Sequence, residues 1–262
     1  MSDLLIKHIN QKIGILSLNS PERLNALSED MIETLSENLN LLGTDKKINA
    51  IIIRAEGKAF CAGHDLKEMT LHRQKEDRGK EYFNWLFRKC ATMMANISRL
   101  PKPVIAEVQG IAAAAGCQLV ASCDLAVASE NATFGVNGVN IGLFCSTPMV
   151  ALSRNISQKK TFELLVTGDF LSAEEAKVEG LINAVTEPKD LSEKTMQMAE
   201  KISSKLSSAV KIGKEAYYKQ LELSLEDAYD YTSKVIAENM LHRDTEEGIS
   251  AFIEKRTPDW KD

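Results

Sequence analysis

The run Gly110-Ile111-Ala112-Ala113-Ala114-Ala115-Gly116 constrains this chain more than any other stretch. Side chains this small let a second backbone or a ligand come close, so the run reads as the wall of a site. A strand-like Val104 to Val108 precedes it, and Cys117-Gln118-Leu119 leads it into an apolar helix; strand and loop then continue through Phe134 and Gly135 to Pro148. The run from Lys58 to Leu66, KAFCAGHDL, has the same character. It follows a continuous apolar strand, Ile48 to Arg54, and places Gly63 just before a helical turn capped by Asp65. Two such turns imply two backbone N–H groups aimed at one point.

Continuous apolar strands belong to parallel sheets covered on both faces, and their alternation with helical spacing predicts an α/β chain wound in right-handed turns. Leu4 to Ile9 and Ile13 to Asn19 read as a hairpin turning at Gln11-Lys12. Ser28 caps a helix carrying Met31, Ile32, Leu35, Leu39 and Leu42, and Gly43 is expected to stop it. A charged loop fills Met69 to Gly79. The helix from about Lys80 to Ser98 presents Phe83, Leu86, Phe87, Cys90, Met94 and Ile97 as one stripe, read as core packing. Strands at Asp124 to Ala128 and Thr133 to Val136 continue the pattern. Further on, Gln158 to Thr167 is a helix ended by Gly168, Ser172 to Glu175 is a capping box, Gly180 ends the helix it starts, and Ile182 to Val185 is a last strand. From about Ser192 three or four amphipathic helices follow. The expected division is a core with the site over residues 1–190 and a helical oligomerisation region over 191–262.

A 262-residue chain with 44% hydrophobic residues can bury a sizeable core, and a net charge of −5 excludes a nucleic-acid partner held by bulk phosphate neutralisation. Its five cysteines are odd in number and lack CxxC spacing, so they read as reduced, buried thiols with no metal site. No apolar run reaches the roughly 20 residues of a membrane span, so no membrane partner is expected. The N-terminal residues resemble neither a signal nor a transit peptide, and the expected location is cytoplasmic.

The segments NSPERLNAL, KAFCAGHDLKEM, PKPVIAEVQGIAAAAGCQLVASCDLAVASENATFG, VNIGLF, LLVTGDFLSAEEAKVEGLINAV and EGISAFIEKR resemble the crotonase, or enoyl-CoA hydratase/isomerase, superfamily. The resemblance spans essentially the whole chain, in the family's order. Within it, AAAAGCQLVASCD with GVNIGLFCSTP is most similar to the third enoyl-CoA hydratase domain-containing protein group. The resemblance implies a crotonase (ClpP-like) spiral of ββα units with a helical C-terminal trimerisation region. It implies a homotrimer or dimer of trimers, and a lyase or isomerase of fatty acid metabolism. The substrate would be an acyl-CoA thioester, with coenzyme A as its carrier part and no covalently bound cofactor. The thioester enolate would be held in an oxyanion hole made by the backbone N–H groups of His64 and Ala115. CoA would lie between Arg23-Leu24 and the segment Ala62, Gly63, His64, Asp65, Leu66, Lys67, with Lys255 reaching a neighbour's phosphates. On their residues alone, Lys67 and Lys255 read equally as solvated surface charges.

The family's two acid/base glutamates, 20 residues apart, fall here on Gln118 and Gly138. An amide can orient a water but does not exchange protons near neutrality, and glycine has no side chain. Each missing group forfeits about 10² to 10⁴ in rate, so ordinary hydration is expected to be very slow. The AGHDL run is similar to that of methylmalonyl-CoA decarboxylase, in which loss of CO₂ makes the enolate without a base; that enzyme's tyrosine is replaced here by Cys145. His64 is then either a substrate contact or a hydrogen-bonded structural histidine. Cys145 and Ser146 are expected to start a helix whose dipole favours a thiolate. An acyl-CoA enzyme, a catalytically inactive acyl-CoA binder and a structural trimer remain open on these residues.

Overall fold

The structure, a computed structural model, describes residues 4–261; residues 1–3 and 262 of the two expected units lie outside it. The chain opens with β1 (Leu5–Asn10) and β2 (Ile13–Leu18), paired antiparallel from Leu5↔Leu18 to Asn10↔Ile13. Every residue of β2 is buried, whereas β1 buries only Leu5, which makes β1 the sheet's edge. Helix α1 (Glu29–Thr44) is capped by the Ser28 side chain, which accepts from the Met31 N–H, and it buries the five predicted apolar residues. Gly43 does not stop it. That position lacks a side chain because a Cβ there would stand 2.6 Å from Leu100 Cδ2.

Three successive turns then lay one strand in each of two sheets: β3 (Ala50–Ala55) and β4 (Ala59–Cys61), β5 (Val104–Val108) and β6 (Ile111–Ala113), β7 (Leu125–Ser129) and β8 (Thr133–Gly135). Between the first two turns run α2 (Leu66–Arg73), which occupies the front of the expected charged loop, and α3 (Lys80–Arg99). Between the second and third runs α4 (Ala115–Ser122). After them come a short α5 (Pro148–Leu152), α6 (Gln158–Thr167), β9 (Phe170–Ser172), α7 (Ala173–Glu179) and β10 (Ala184–Thr186). The larger sheet has the order β1-β2-β3-β5-β7-β10, parallel after its hairpin, and the smaller has β4-β6-β8-β9. This is the expected spiral of ββα units. Strand β9, absent from the sequence reading, joins through antiparallel pairing with β8.

Four helices follow: α8 (Leu191–Ser203), α9 (Ser207–Gln220), α10 (Leu225–Met240) and α11 (Arg243–Glu254). Leu191 and Ala199 of α8 close the outer face of the larger sheet over Ile13, Ile15, Ile52 and Ile105. Helix α9 is pinned by Lys214, 8% exposed, whose Nζ donates to Ile97 O, Lys102 O and Asp124 Oδ2 at 2.8, 2.8 and 2.6 Å. Asp124 also accepts from the Val104 N–H and the Tyr218 hydroxyl. Helix α10 buries no residue and exposes Leu225, Tyr229, Ile236 and Met240. Among the described residues no helix is long and apolar enough to cross a membrane.

Candidate active site

The two small-residue turns pack against each other through their glycines. A Cβ on Gly116 would stand 2.1 Å from Cys61 O, and one on Gly63 would stand 3.1 Å from Ala114 Cβ and 3.2 Å from Ala113 O. Gly63 also has φ +97, a conformation that only glycine adopts without strain. Beyond it, Leu27 bridges the chain on one side: its N–H donates to Gly63 O at 2.7 Å, and its carbonyl accepts from the Asp65 N–H at 3.4 Å. Successive peptide groups of an extended chain point to opposite sides, so the His64 N–H is turned away from Leu27.

Ala114 completes the second turn with φ 48 and ψ −114, a strained position for a residue with a Cβ that costs about 1–3 kcal/mol. Its own N–H is held by Gly135 O at 2.8 Å. Ala115 is therefore the first residue of α4, where an N–H has no partner inside the helix. Among the described residues neither the His64 nor the Ala115 N–H has a backbone acceptor. Both residues line one largely apolar cavity of about 640 Å³.

Arg23, Leu24, Ala62, Asp65, Leu66, Lys67, Gly138 and Cys145 line the same cavity, and Gly63 stands behind it. Two expected site residues do not. Gln118 lies one turn into α4, 4% exposed, with its Oε1 buried and unpartnered but off the cavity's lining. Lys255 caps α11, exposed, and is not part of the lining. Phe87, read from sequence as core, packs half-buried against the core and also lines the cavity along with Met69, Asn137 and Phe144. Helical spacing marks a stripe as apolar without saying whether protein or a void faces it, so no signal in the sequence separates Phe87 from its neighbours.

Neither His64 ring nitrogen makes a full hydrogen bond, although the Leu27 backbone lies close enough to favour the charged ring, and the ring meets Phe87 edge-on at 5.3 Å. Burial lowers its pKa to about 4, so the ring is neutral at physiological pH. Cys145 is no thiolate at a helix start. It precedes the five-residue α5 by three positions, and burial pushes its thiol up, offset in part by the Gly138 backbone. A Cβ on Gly138 would lie 2.8 Å from both Cys145 Sγ and Leu143 O, so these atoms fill the space that a larger residue would need. All five cysteines are free and buried.

The sequence profile of the enoyl-CoA hydratase/isomerase family matches residues 8–262. The chain belongs to that family. Among relatives of this enoyl-CoA hydratase/isomerase family member, enoyl-CoA hydratase domain-containing protein 3 of Xenopus laevis is 45% identical over 254 residues, 96% of this chain and 85% of the relative. The Homo sapiens protein of that name is 46% identical over 243 residues, covering 93% and 78%. An enoyl-CoA hydratase structure from Mycobacterium smegmatis superimposes with a TM-score of 0.95 at 49% identity, covering all of both chains. The human domain-containing protein 3 structure superimposes with 0.94 at 42% identity, covering 98% and 100%. The resemblance drawn from the sequence, and the crotonase fold with it, are thus found. The cytoplasmic location expected for this family member is corrected: both vertebrate relatives are named mitochondrial.

Proposed function

We propose that this chain binds an acyl-CoA thioester with its carbonyl oxygen between the His64 and Ala115 N–H groups and stabilises the thioester enolate there. The observation that carries this reading is that two residues whose N–H groups have no backbone acceptor, His64 and Ala115, line one apolar cavity. Such donors act without reorganisation as charge develops on the oxygen, and losing one typically costs about 2.7–4 kcal/mol. Arg23 and Lys67 at the cavity supply positive charge for the CoA phosphates. Ordinary enoyl-CoA hydration is slow in this reading, because Gln118 and Gly138 carry no titratable side chain.

Calorimetry with butyryl-CoA and with S-butyl-CoA, which lacks the carbonyl, tests the hole. Two hydrogen bonds contribute about 1–3 kcal/mol, so the thioether is expected to bind about 5- to 150-fold more weakly. Equal affinities would sink the reading.

A second reading, decarboxylation of an α-carboxylated acyl-CoA, is favoured by His64, whose unpartnered neutral ring is available to a polar acyl substituent. Release of CO₂ from methylmalonyl-CoA, followed by mass spectrometry, decides it. The same proposal takes residues 191–262 as the oligomerisation region of a homotrimer or dimer of trimers, with the exposed apolar residues of α10 as its seam; light scattering giving a monomer would remove this part. It also places the chain in mitochondria with its vertebrate relatives, which cell fractionation checks.

A further inference from the structure

An enolate turns over only if something exchanges a proton with its α-carbon, and the titratable side chains lining the cavity are few: Glu22, Arg23, His64, Asp65, Lys67 and Cys145. Glu22 is fully exposed and held by the Ser20 hydroxyl at 2.7 Å. Arg23 does not deprotonate in proteins. Asp65 gives one oxygen to Arg23 and the other to the N–H groups of Lys67 and Glu68. Lys67 is exposed on the first turn of α2. His64 already carries one of the two proposed N–H donors, and its ring packs edge-on against Phe87 at 5.3 Å.

Cys145 is left, and its placement suits the task. Leu143 N–H donates to Gly138 O at 2.9 Å and Met149 N–H donates to Cys145 O at 3.0 Å, fixing the segment on both sides of the thiol. Gly138 has no side chain, and Sγ stands 2.8 Å from where its Cβ would be, so the sulfur takes that space in the cavity wall. The titratable neighbour felt on α4 is Cys117, in the first turn of the helix that begins with the Ala115 N–H.

We infer that the Cys145 thiol exchanges protons with the α-carbon of the bound thioester and is a catalytic residue of this site. The inference rests on the binding mode proposed above. The thiolate takes the α-proton to become Sγ–H, the C–H electron pair moves into the enolate double bond, and the oxygen takes the negative charge against the two N–H groups. The reverse step returns a proton to the α-carbon, and because Sγ–H exchanges with water, deuterium is delivered in D₂O.

The full chain is incubated with butyryl-CoA in D₂O, deuterium at the α-carbon is followed by mass spectrometry and NMR, and affinity is measured by calorimetry in parallel. Exchange is expected to accelerate about tenfold per pH unit through neutrality, because burial keeps the thiol mostly protonated there. Cys145→Ala and Cys145→Ser should each lose at least about 10²-fold in exchange while keeping butyryl-CoA affinity and melting temperature. Cys145→Asp should recover part of the exchange with a rate already level above about pH 6. Unchanged exchange in Cys145→Ala or Cys145→Ser, or no exchange by a wild type that binds butyryl-CoA, overturns the inference alone. Failure to bind butyryl-CoA removes the binding mode and the inference together.

Discussion

Arg23 Nη1 and Asp65 Oδ2 meet at 3.0 Å on the cavity wall, and the pair is uneven: the guanidinium side chain is 60% exposed and the carboxylate 5%. Asp65 Oδ1 accepts from the Lys67 and Glu68 N–H groups at 2.9 and 3.2 Å, so the carboxylate both caps α2 and aims the arginine. The remaining guanidinium donors face solvent and any anion that arrives.

The two residues should therefore separate in experiment. Arg23→Met is expected to lower acyl-CoA affinity by about tenfold or more, the value of a charge-assisted hydrogen bond, with little change in melting temperature. Asp65→Ala should lose about 1 kcal/mol of stability through the cap and some affinity through the misaimed arginine. Calorimetry and urea unfolding on both variants check this. Unchanged affinity in Arg23→Met would show that the guanidinium is a surface charge only.

Restoring two glutamates should not restore a hydratase. At Gly138 a new Cβ meets Leu143 O, a backbone atom, and Cys145 Sγ, each at 2.8 Å. Gly138→Ala alone is expected to cost about 1–3 kcal/mol. Adding Cys145→Ala should return only part of this, because Leu143 O stays in place. Gln118→Glu with Gly138→Glu should hydrate crotonyl-CoA no faster than Gln118→Glu alone, followed by loss of the enoyl absorbance. A gain of about 10²-fold from the second glutamate would mean that the segment 138–145 opens easily.

Local signals made much of the fold legible. Ser28, the Gln158 to Thr167 helix ended by Gly168, and the Ser172–Glu175 box each satisfy helix-end groups with neighbours a few residues away, and each appears where the sequence put it. Gly43 and β9 were not legible for the opposite reason. The first is dictated by Leu100 and the second by β8, contacts that a local window does not contain. In the site, the glycine turns announced the close packing of the two loops, because close approach requires small residues. The opposite wall, from Phe87 to Phe144, gave no comparable sign, since an apolar side chain facing a cavity has the same spacing as one facing the core.

His64 makes stability depend on pH in a definite sense. Its folded pKa lies below its ordinary value, about 4 against 6.5, because burial opposes the charged ring. The unfolded chain therefore takes up this proton first. The contribution is fully present above pH 6.5, declines as pH falls from 6.5 toward 4, and is lost below that. His64→Phe, which cannot titrate, should lose less stability than the wild type between about pH 7 and about pH 4.5. Urea unfolding at both pH values measures the difference. Equal losses would mean that the ring protonates freely in the folded protein.

The heaviest single stability loss should come from the anchor of α9. Lys214 and Asp124 are both largely buried, 6% and 12% exposed at their side chains, and together they also hold Ile97 O, Lys102 O, the Val104 N–H and the Tyr218 hydroxyl. Burial disfavours charge on each partner, and their 2.6 Å contact opposes that by holding both ionised. Removing one partner leaves a buried charge with no counter-ion, a loss of about 3–5 kcal/mol. Lys214→Met and Asp124→Asn are each expected to show it in urea unfolding. The double variant should cost less than the sum, because neither charge is then stranded. Additive losses would mean that the two residues act through their other hydrogen bonds. Since α9 links the spiral to α10 and α11, the same variants should release those two helices to proteolysis before the sheets unfold.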